Sequence, residues 1–207
     1  MSEYDPAPGE LVADDVWSVM LATGDYVGQR AEGMEMGDVV VRGGRWSGVI
    51  LDGLRAFGVR FEDCDLSGLA LLDEASLQNV TFSRCRLTGA NFSGARLRSV
   101  TFEGCSLADA NLRMLDAEKV VFSDTVLAAG DLYGAKLTTV TVKGCDLRGS
   151  DWTKAVLKDV DLRGARLEDI RGADRLRGVT IDSSQVVPLA YSLAVAMELT
   201  IVDEYDT

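Results

Sequence analysis

Residues 85–112 read CRLTGANFSGARLRSVTFEGCSLADANL, and their spacing decides the fold. Stepping by five from Leu87 meets Phe92, Leu97, Phe102, Leu107 and Leu112, all large and apolar. Two residues before each stands a smaller side chain: Cys85, Ala90, Ala95, Val100, Cys105 and Ala110. The residue between the two is mostly polar, as in Asn91, Thr101 and Asn111. A helix repeats every 3.6 residues and a simple strand every two, so neither sustains a strict five. Each five-residue unit therefore turns two side chains inward and the rest outward.

The series extends in both directions. From Leu77 to Leu167 eighteen of nineteen positions are large and apolar. The exception, Ala117, is offset by a large Leu115 at the preceding small position, which roughly conserves core volume. A longer period lies above the short one. Val80, Val100, Val120, Val140 and Val160 recur every twenty residues, as do Phe82, Phe102 and Phe122. Asn91, Asn111, Asp131 and Asp151 do the same. Four sides thus make one coil, and like residues stack in columns. Glycines such as Gly89, Gly94 and Gly104 fall where the backbone must turn. Upstream, Val41, Trp46, Leu51, Ala56, Phe61, Leu66 and Leu71 keep the spacing in a shifted phase. One residue is therefore inserted near Leu71–Ala75, which reads as a corner bulge. With layers ~4.8 Å apart, Val41 to Arg171 make a rod of roughly 31 Å.

The ends read differently. Leu11, Val12, Val16, Trp17, Met20 and Leu21 have the spacing of a short amphipathic helix. Leu11, Val16, Leu21, Tyr26, Ala31 and Met36 also keep the five-residue phase. Residues 1–35 are thus expected to cap the solenoid, as short helix or as early coil. Residues 36–171 are expected to form the β-helix, and 172–207 a C-terminal cap. There, Ser183 or Ser184 can N-cap a helix that includes Val186 to Met197. Val186, Leu189, Leu193 and Met197 occupy one side, and Val187, Tyr191 and Val195 the other. A helix apolar all round must be covered on both faces. One face can seal the solenoid, and a symmetric copy of the chain is the simplest cover for the other. Val187, Tyr191, Val195, Leu199 and Ile201 are the candidate dimer contacts, with Leu199 to Val202 as a short added strand. An end cap within a monomer is the alternative.

Composition excludes several functions. The 207 residues hold 21 Lys and Arg against 33 Asp and Glu, a net charge of −12. Phosphate binding needs a basic surplus, so nucleic acid is not expected as a direct ligand. No histidine is present, which excludes histidine general bases and histidine metal sites. The N-terminal stretch lacks the pattern of a secretory signal, and no apolar run reaches the ~20 residues of a membrane span. A cytoplasmic protein is expected. Cys85, Cys105 and Cys145 share one column with Thr125, and Cys64 joins it across the insertion. All four hold small inward positions, where free cysteine acts as a packing residue. Carboxylate pairs such as Asp63/Asp65 and Asp73/Glu74 read as solvated surface. No phosphate loop, dinucleotide fingerprint or nucleophile elbow occurs. No enzyme, cofactor or metal is predicted.

Runs such as CRLTGANFSGARL, CSLADANL and CDLRGSDW resemble the A(D/N)LXX units of the pentapeptide repeat family. That resemblance implies an all-β, right-handed quadrilateral β-helix. The tail LRGVTIDSSQVVPLAYSLAVAMELTIVDE is similar to the dimerising ends of the fluoroquinolone-resistance members. These act as DNA mimics on type II topoisomerases. The resemblance therefore implies a homodimer that binds DNA gyrase or topoisomerase IV and shields it from a poison. Such a mimic needs a negative surface, for which Asp131, Asp151, Asp169 and Asp174 are candidates. Charge is unevenly placed, however. Residues 1–76 carry 15 acids and 5 bases, 77–171 carry 12 and 14, and 172–207 carry 6 and 2. The near-neutral middle keeps a second reading open, a scaffold that binds an unrelated protein through one flat face.

Overall fold

The five-residue spacing is realised as short parallel strands stacked one coil apart. The structure, a computed structural model, describes residues 5–200 and Val202, with the backbone alone at Pro6. The chain winds as a four-sided parallel β-solenoid of about 7 turns, closed by one short helix.

The first face stacks Val16–Ser18, Glu35–Gly37, Arg55–Phe57, Ser76–Gln78, Arg96–Arg98 and Asp116–Glu118. It continues into the longer strands Lys136–Lys143 and Val156–Asp161, whose second halves carry on the next face. The second face runs from Met20–Ala22 through Val40–Arg42, Arg60–Glu62, Thr81–Ser83, Thr101–Glu103 and Val121–Ser123. Its β-branched and aromatic content suits a pleated, half-buried surface. The third face is held by single parallel bridges, such as Arg86 to Ser106 to Val126 to Asp146. The fourth begins as the strands Arg30–Glu32, Ile50–Asp52 and Ala70–Leu72. It continues as bridges from Asn91 to Asn111, Asp131, Asp151 and Arg171.

Strand pairing shows how strict the period is. Phe82 lies opposite Phe102 and Phe102 opposite Phe122, each 20 apart in sequence. Leu77 lies opposite Ala56, an offset of 21, so the extra residue predicted near Leu71–Ala75 is present. It is absorbed at Asp73 and Glu74, which both turn left-handed at φ 47° and 60°. A second slip has the opposite sign. Trp17 lies opposite Met36, an offset of 19, whereas Asp25 lies opposite Arg45, an offset of 20. One corner residue is therefore missing between Ala22 and Asp25. This corrects the phase read from the sequence at the N-terminus. Trp17 and Ala22 are the inward residues, Val16 is exposed and Leu21 only half-buried. Residues 11–21 form turn and strand rather than a helix.

The core is a single column of apolar side chains. Phe61, Phe82, Phe102 and Phe122 stack nearly parallel, with centroids 4.9, 4.8 and 4.9 Å apart. Those separations match the spacing between strands, so rings held twenty residues apart must meet face to face. Leu115 and Ala117 are both buried, as their exchange of sizes requires. Further up, Trp17, Tyr26 and Trp46 pack at angles to one another.

The lower end is plugged. Asp182, not Ser183 or Ser184, caps a single 3-10 turn, Ser183–Gln185, through a reciprocal pair of hydrogen bonds with Gln185. Gln185 then points back into the last coil, where Nε2 donates to Leu162 O at 2.7 Å and Ala165 O at 2.6 Å. Helix α1, Val186–Ala196, follows and buries Leu189 and Ser192. Val186 and Met197, grouped with Leu189 and Leu193 from spacing alone, are exposed.

Candidate functional site

Three surfaces stand out, and none resembles an enclosed catalytic pocket. The first is the outer face of α1. Val187, Tyr191 and Val195 recur every four residues and therefore share one stripe. Their exposures are 82%, 63% and 55%, and Leu199 beyond the helix is 56% exposed. Ile201 lies outside the described residues. The inner face is fixed by Leu189 and by the Gln185 plug, so the stripe is held rigidly outward.

The second surface is the column on the fourth face. Asp131 and Asp151 are brought side by side by a parallel bridge, and the next member is Arg171. Both aspartates work locally. Asp131 Oδ1 accepts from Tyr133 N at 3.0 Å, and Asp151 Oδ1 from Thr153 N at 2.8 Å. These Asx turns tie the column to its own corner. Both carboxylates also meet guanidinium groups, Asp131 with Arg113 at 2.8 Å and Asp151 with Arg171 at 3.2 Å. Burial pushes the Asp151 carboxyl up, but Thr153 and Arg171 outweigh it and hold the group below the usual range. The column is thus close to charge-neutral. Asp169 and Asp174 are not part of it. Asp169 turns the corner between the third and fourth faces, and Asp174 sits in the short turn Ala173–Arg175, paired with Arg175 at 3.0 Å.

Sequence reasoning missed Tyr133. It stands on this face with Arg113 4.3 Å and Lys154 5.0 Å from its ring centroid. Two cations over one ring fix a tyrosine that would otherwise rotate freely. Met114, 59% exposed, lies at the adjoining corner. The only sequence signal was an aromatic at an outward position that neighbouring coils fill with small or basic residues.

The third surface lies among the first coils, where Asp14, Glu32, Glu35, Asp52 and Asp73 gather around a notch. These residues come from four successive coils, and only the winding brings them together.

The cysteines do not form a site. Cys64, Cys85, Cys105 and Cys145 are buried and free. Their thiols bond along the ladder: Cys64 Sγ donates to Val41 O at 3.3 Å and Cys85 Sγ to Phe61 O at 3.4 Å. Burial pushes the Cys145 thiol up, which keeps it protonated and unreactive. Among the described residues no three His, Cys, Asp or Glu side chains are placed to hold a metal ion. No described helix is long and apolar enough to cross a membrane.

A family model described as a pentapeptide repeat region matches residues 55–113 and 95–171. A search of the curated proteins finds no match. Solved structures are similar in fold. Full-length QnrB1, a plasmid-mediated fluoroquinolone resistance protein, is 19% identical over 92% of this chain and 96% of that one, with a TM-score of 0.44. HetL is a pentapeptide repeat protein involved in heterocyst differentiation regulation from the cyanobacterium Nostoc. It is 18% identical over 83% of this chain and 91% of its own, with a TM-score of 0.41. Rfr23, from the cyanobacterium Cyanothece, is 26% identical over 47% of this chain and 60% of its own, at 0.32.

Proposed function

The chain belongs to the pentapeptide repeat family, and from that premise we propose that it is a non-catalytic scaffold whose partner is DNA gyrase or topoisomerase IV. In this reading it is a cytoplasmic homodimer joined through α1. It occupies the groove where duplex DNA would lie and shields the enzyme from a poison. The observation that carries the reading is the exposed Val187, Tyr191 and Val195 stripe at the end of the solenoid. An apolar stripe facing water is expected to be covered by a partner, and a two-fold copy would double the rod's length. The likeness of the C-terminal segment to the quinolone-resistance members supports the same assignment.

The test is a supercoiling assay with purified gyrase, with and without a quinolone, beside a mass measurement by light scattering. A dimer that restores supercoiling in the presence of drug is the expected result. A chain that neither binds the topoisomerase nor alters supercoiling or cleavage would sink the assignment. One observation favours a different protein partner. The aspartates of the fourth face are matched by Arg113 and Arg171, so that face does not offer the unbroken negative stripe of a DNA mimic. In that case affinity capture from the host recovers a protein unrelated to topoisomerases.

A further inference from the structure

The acidic notch sits at the corner between the fourth and first faces, has a volume of about 370 Å³, and carries one base, Arg55, among its five acids. Its floor is glycine. Gly33 and Gly53 turn this corner at φ +69° and +66°, and a Cβ on Gly33 would collide with the Asp14 carboxylate. Asp14 forms one rim. The opposite rim is Asp73, at the corner that takes up the inserted residue.

The carboxylates are under-supplied with partners. Glu35 meets Arg55 at 3.3 Å, and Asp52 Oδ2 meets Arg30. Asp14, Glu32 and Asp73 make no ion pair among the described residues. Asp52 is 3% exposed, yet its Oδ1 has no hydrogen-bond donor. A buried carboxylate oxygen without a donor is costly, on the order of 1–3 kcal/mol or more. Its presence in the notch wall marks a place for a donor that the chain itself does not provide.

The geometry selects the kind of donor. No three acids here are close enough to enclose a metal ion. A guanidinium is wider and presents five N–H groups in a plane, so it can bridge carboxylates that cannot share one ion. The chain's own guanidinium groups already use this chemistry, Arg55 on Glu35 within the notch and Arg30 on Asp52 from outside its lining. An open groove adjoins the notch across Glu35, Gly53 and Asp73, and it contains Phe57, which is 50% exposed. An aromatic face beside a carboxylate pocket suits the stem and head of an arginine.

We propose that this notch receives an arginine side chain from a protein partner. The inference rests on the reading of the chain as a protein-binding scaffold, but not on which protein is bound. The test is a titration of the full-length, ¹⁵N-labelled protein with the peptide acetyl-Gly-Arg-Gly-amide. Parallel titrations use the same peptide with neutral citrulline for arginine, and magnesium chloride. The arginine peptide is expected to shift the Gly33 and Gly53 amides saturably, with a Kd on the order of millimolar. Citrulline, and the double variant Asp14→Asn/Asp73→Asn, are each expected to weaken binding roughly tenfold. Asparagine tolerates the left-handed backbone at both sites, so the variant keeps its fold. No shift, an equal shift with citrulline, or an equal shift at lower concentration with magnesium overturns the proposal. Failure here leaves the topoisomerase assignment standing, because the supercoiling assay decides that separately. Peptide binding by a chain inert toward gyrase would keep the notch and change the partner.

Discussion

Residues 16–74 and residues 77–171 wind by one rule but differ in register, core and charge. The later coils repeat at 20 residues without interruption from Leu77 onward. Phe82, Phe102 and Phe122 stack in parallel with Phe92 edge-on to the first two, and many of the charges there are paired across or along the coils. Arg98 meets Asp116 at 3.0 Å and Glu118 at 3.3 Å, and Arg148 and Arg163 each meet the aspartate two residues earlier at 2.6 Å. These pairs hold the Asp116, Asp146 and Asp161 carboxyls below the usual range. The earlier coils contain both slips, an angled aromatic cluster and a surplus of acids. In a parallel stack, residues one coil apart are close neighbours, so like charges repel and opposite charges attract. The later coils obey that preference except where Asp131 lies beside Asp151, and there each carboxylate has its own arginine. The earlier ones obey it where Arg42 meets Glu62 and Arg45 meets Asp25, but not at the notch, where crowded carboxylates lower the stability of the compact state. A region that keeps an unfavourable arrangement is a better candidate for binding than one relaxed within itself.

The largest expected effect breaks the comparison at the core. Phe102→Ala removes a ring stacked on both sides and is expected to cost about 3–5 kcal/mol, read from urea unfolding. Coils in a solenoid couple chiefly to their neighbours. Hydrogen exchange should therefore rise most between residues 80 and 125 and least before residue 40. Equal loss at both ends would mean that the two regions are one cooperative unit. Next in size, Gln185→Leu unplugs the last coil. It takes the side-chain donor from both the Leu162 and Ala165 carbonyls, leaving Leu162 O with Ala165 N alone, at about 1–3 kcal/mol. That loss should stay within the later coils.

Two tryptophans sharpen the contrast further. Trp152 Nε1 donates to Ser150 Oγ at 2.8 Å, whereas the buried Trp46 Nε1 has no partner. Trp152→Phe breaks a bond and Trp46→Phe removes an orphan. The first should be more destabilising by about 1 kcal/mol in paired thermal melts. Smallest is the effect of charge. Asp14→Asn with Asp73→Asn should stabilise the protein by a few tenths of a kcal/mol at low salt, and the gain should vanish near 1 M salt as screening rises. Asp131→Asn, which strands Arg113, should give no such gain. If it does, the distinction between crowded and paired acids is wrong.

Much of this was legible in the residues because the solenoid is nearly one-dimensional. A residue's number gives its face, its depth and its neighbours above and below. The inserted residue near Asp73 and the exchange of Leu115 with Ala117 could therefore be read directly. What failed did so for local reasons. Val16 and Leu21 kept the five-residue phase only because a corner residue is missing after Ala22, and two wrong positions looked right. Ser183 and Ser184 are good caps by type, but Asp182 can bond both Ser184 and Gln185 and wins. The stripe of Val187, Tyr191 and Val195 was visible as spacing, whereas the exposure of Val186 and Met197 depends on how α1 tilts against the last coil. The notch could not be seen at all. Its acids lie on four successive coils, and its meaning rests on one oxygen of Asp52 that lacks a donor.

The two slips behave as defects in a crystal lattice do. They are dislocations of opposite sign, one vacancy near Thr23 and one interstitial near Glu74, and together they cancel. Trp17 and Leu77 consequently fall on the same lattice row, as if the intervening block had never been shifted. Transplanting that block into another solenoid would preserve the host's phase only if both defects travelled together. Healing either one alone would rotate every side chain on the far side of it out of the core.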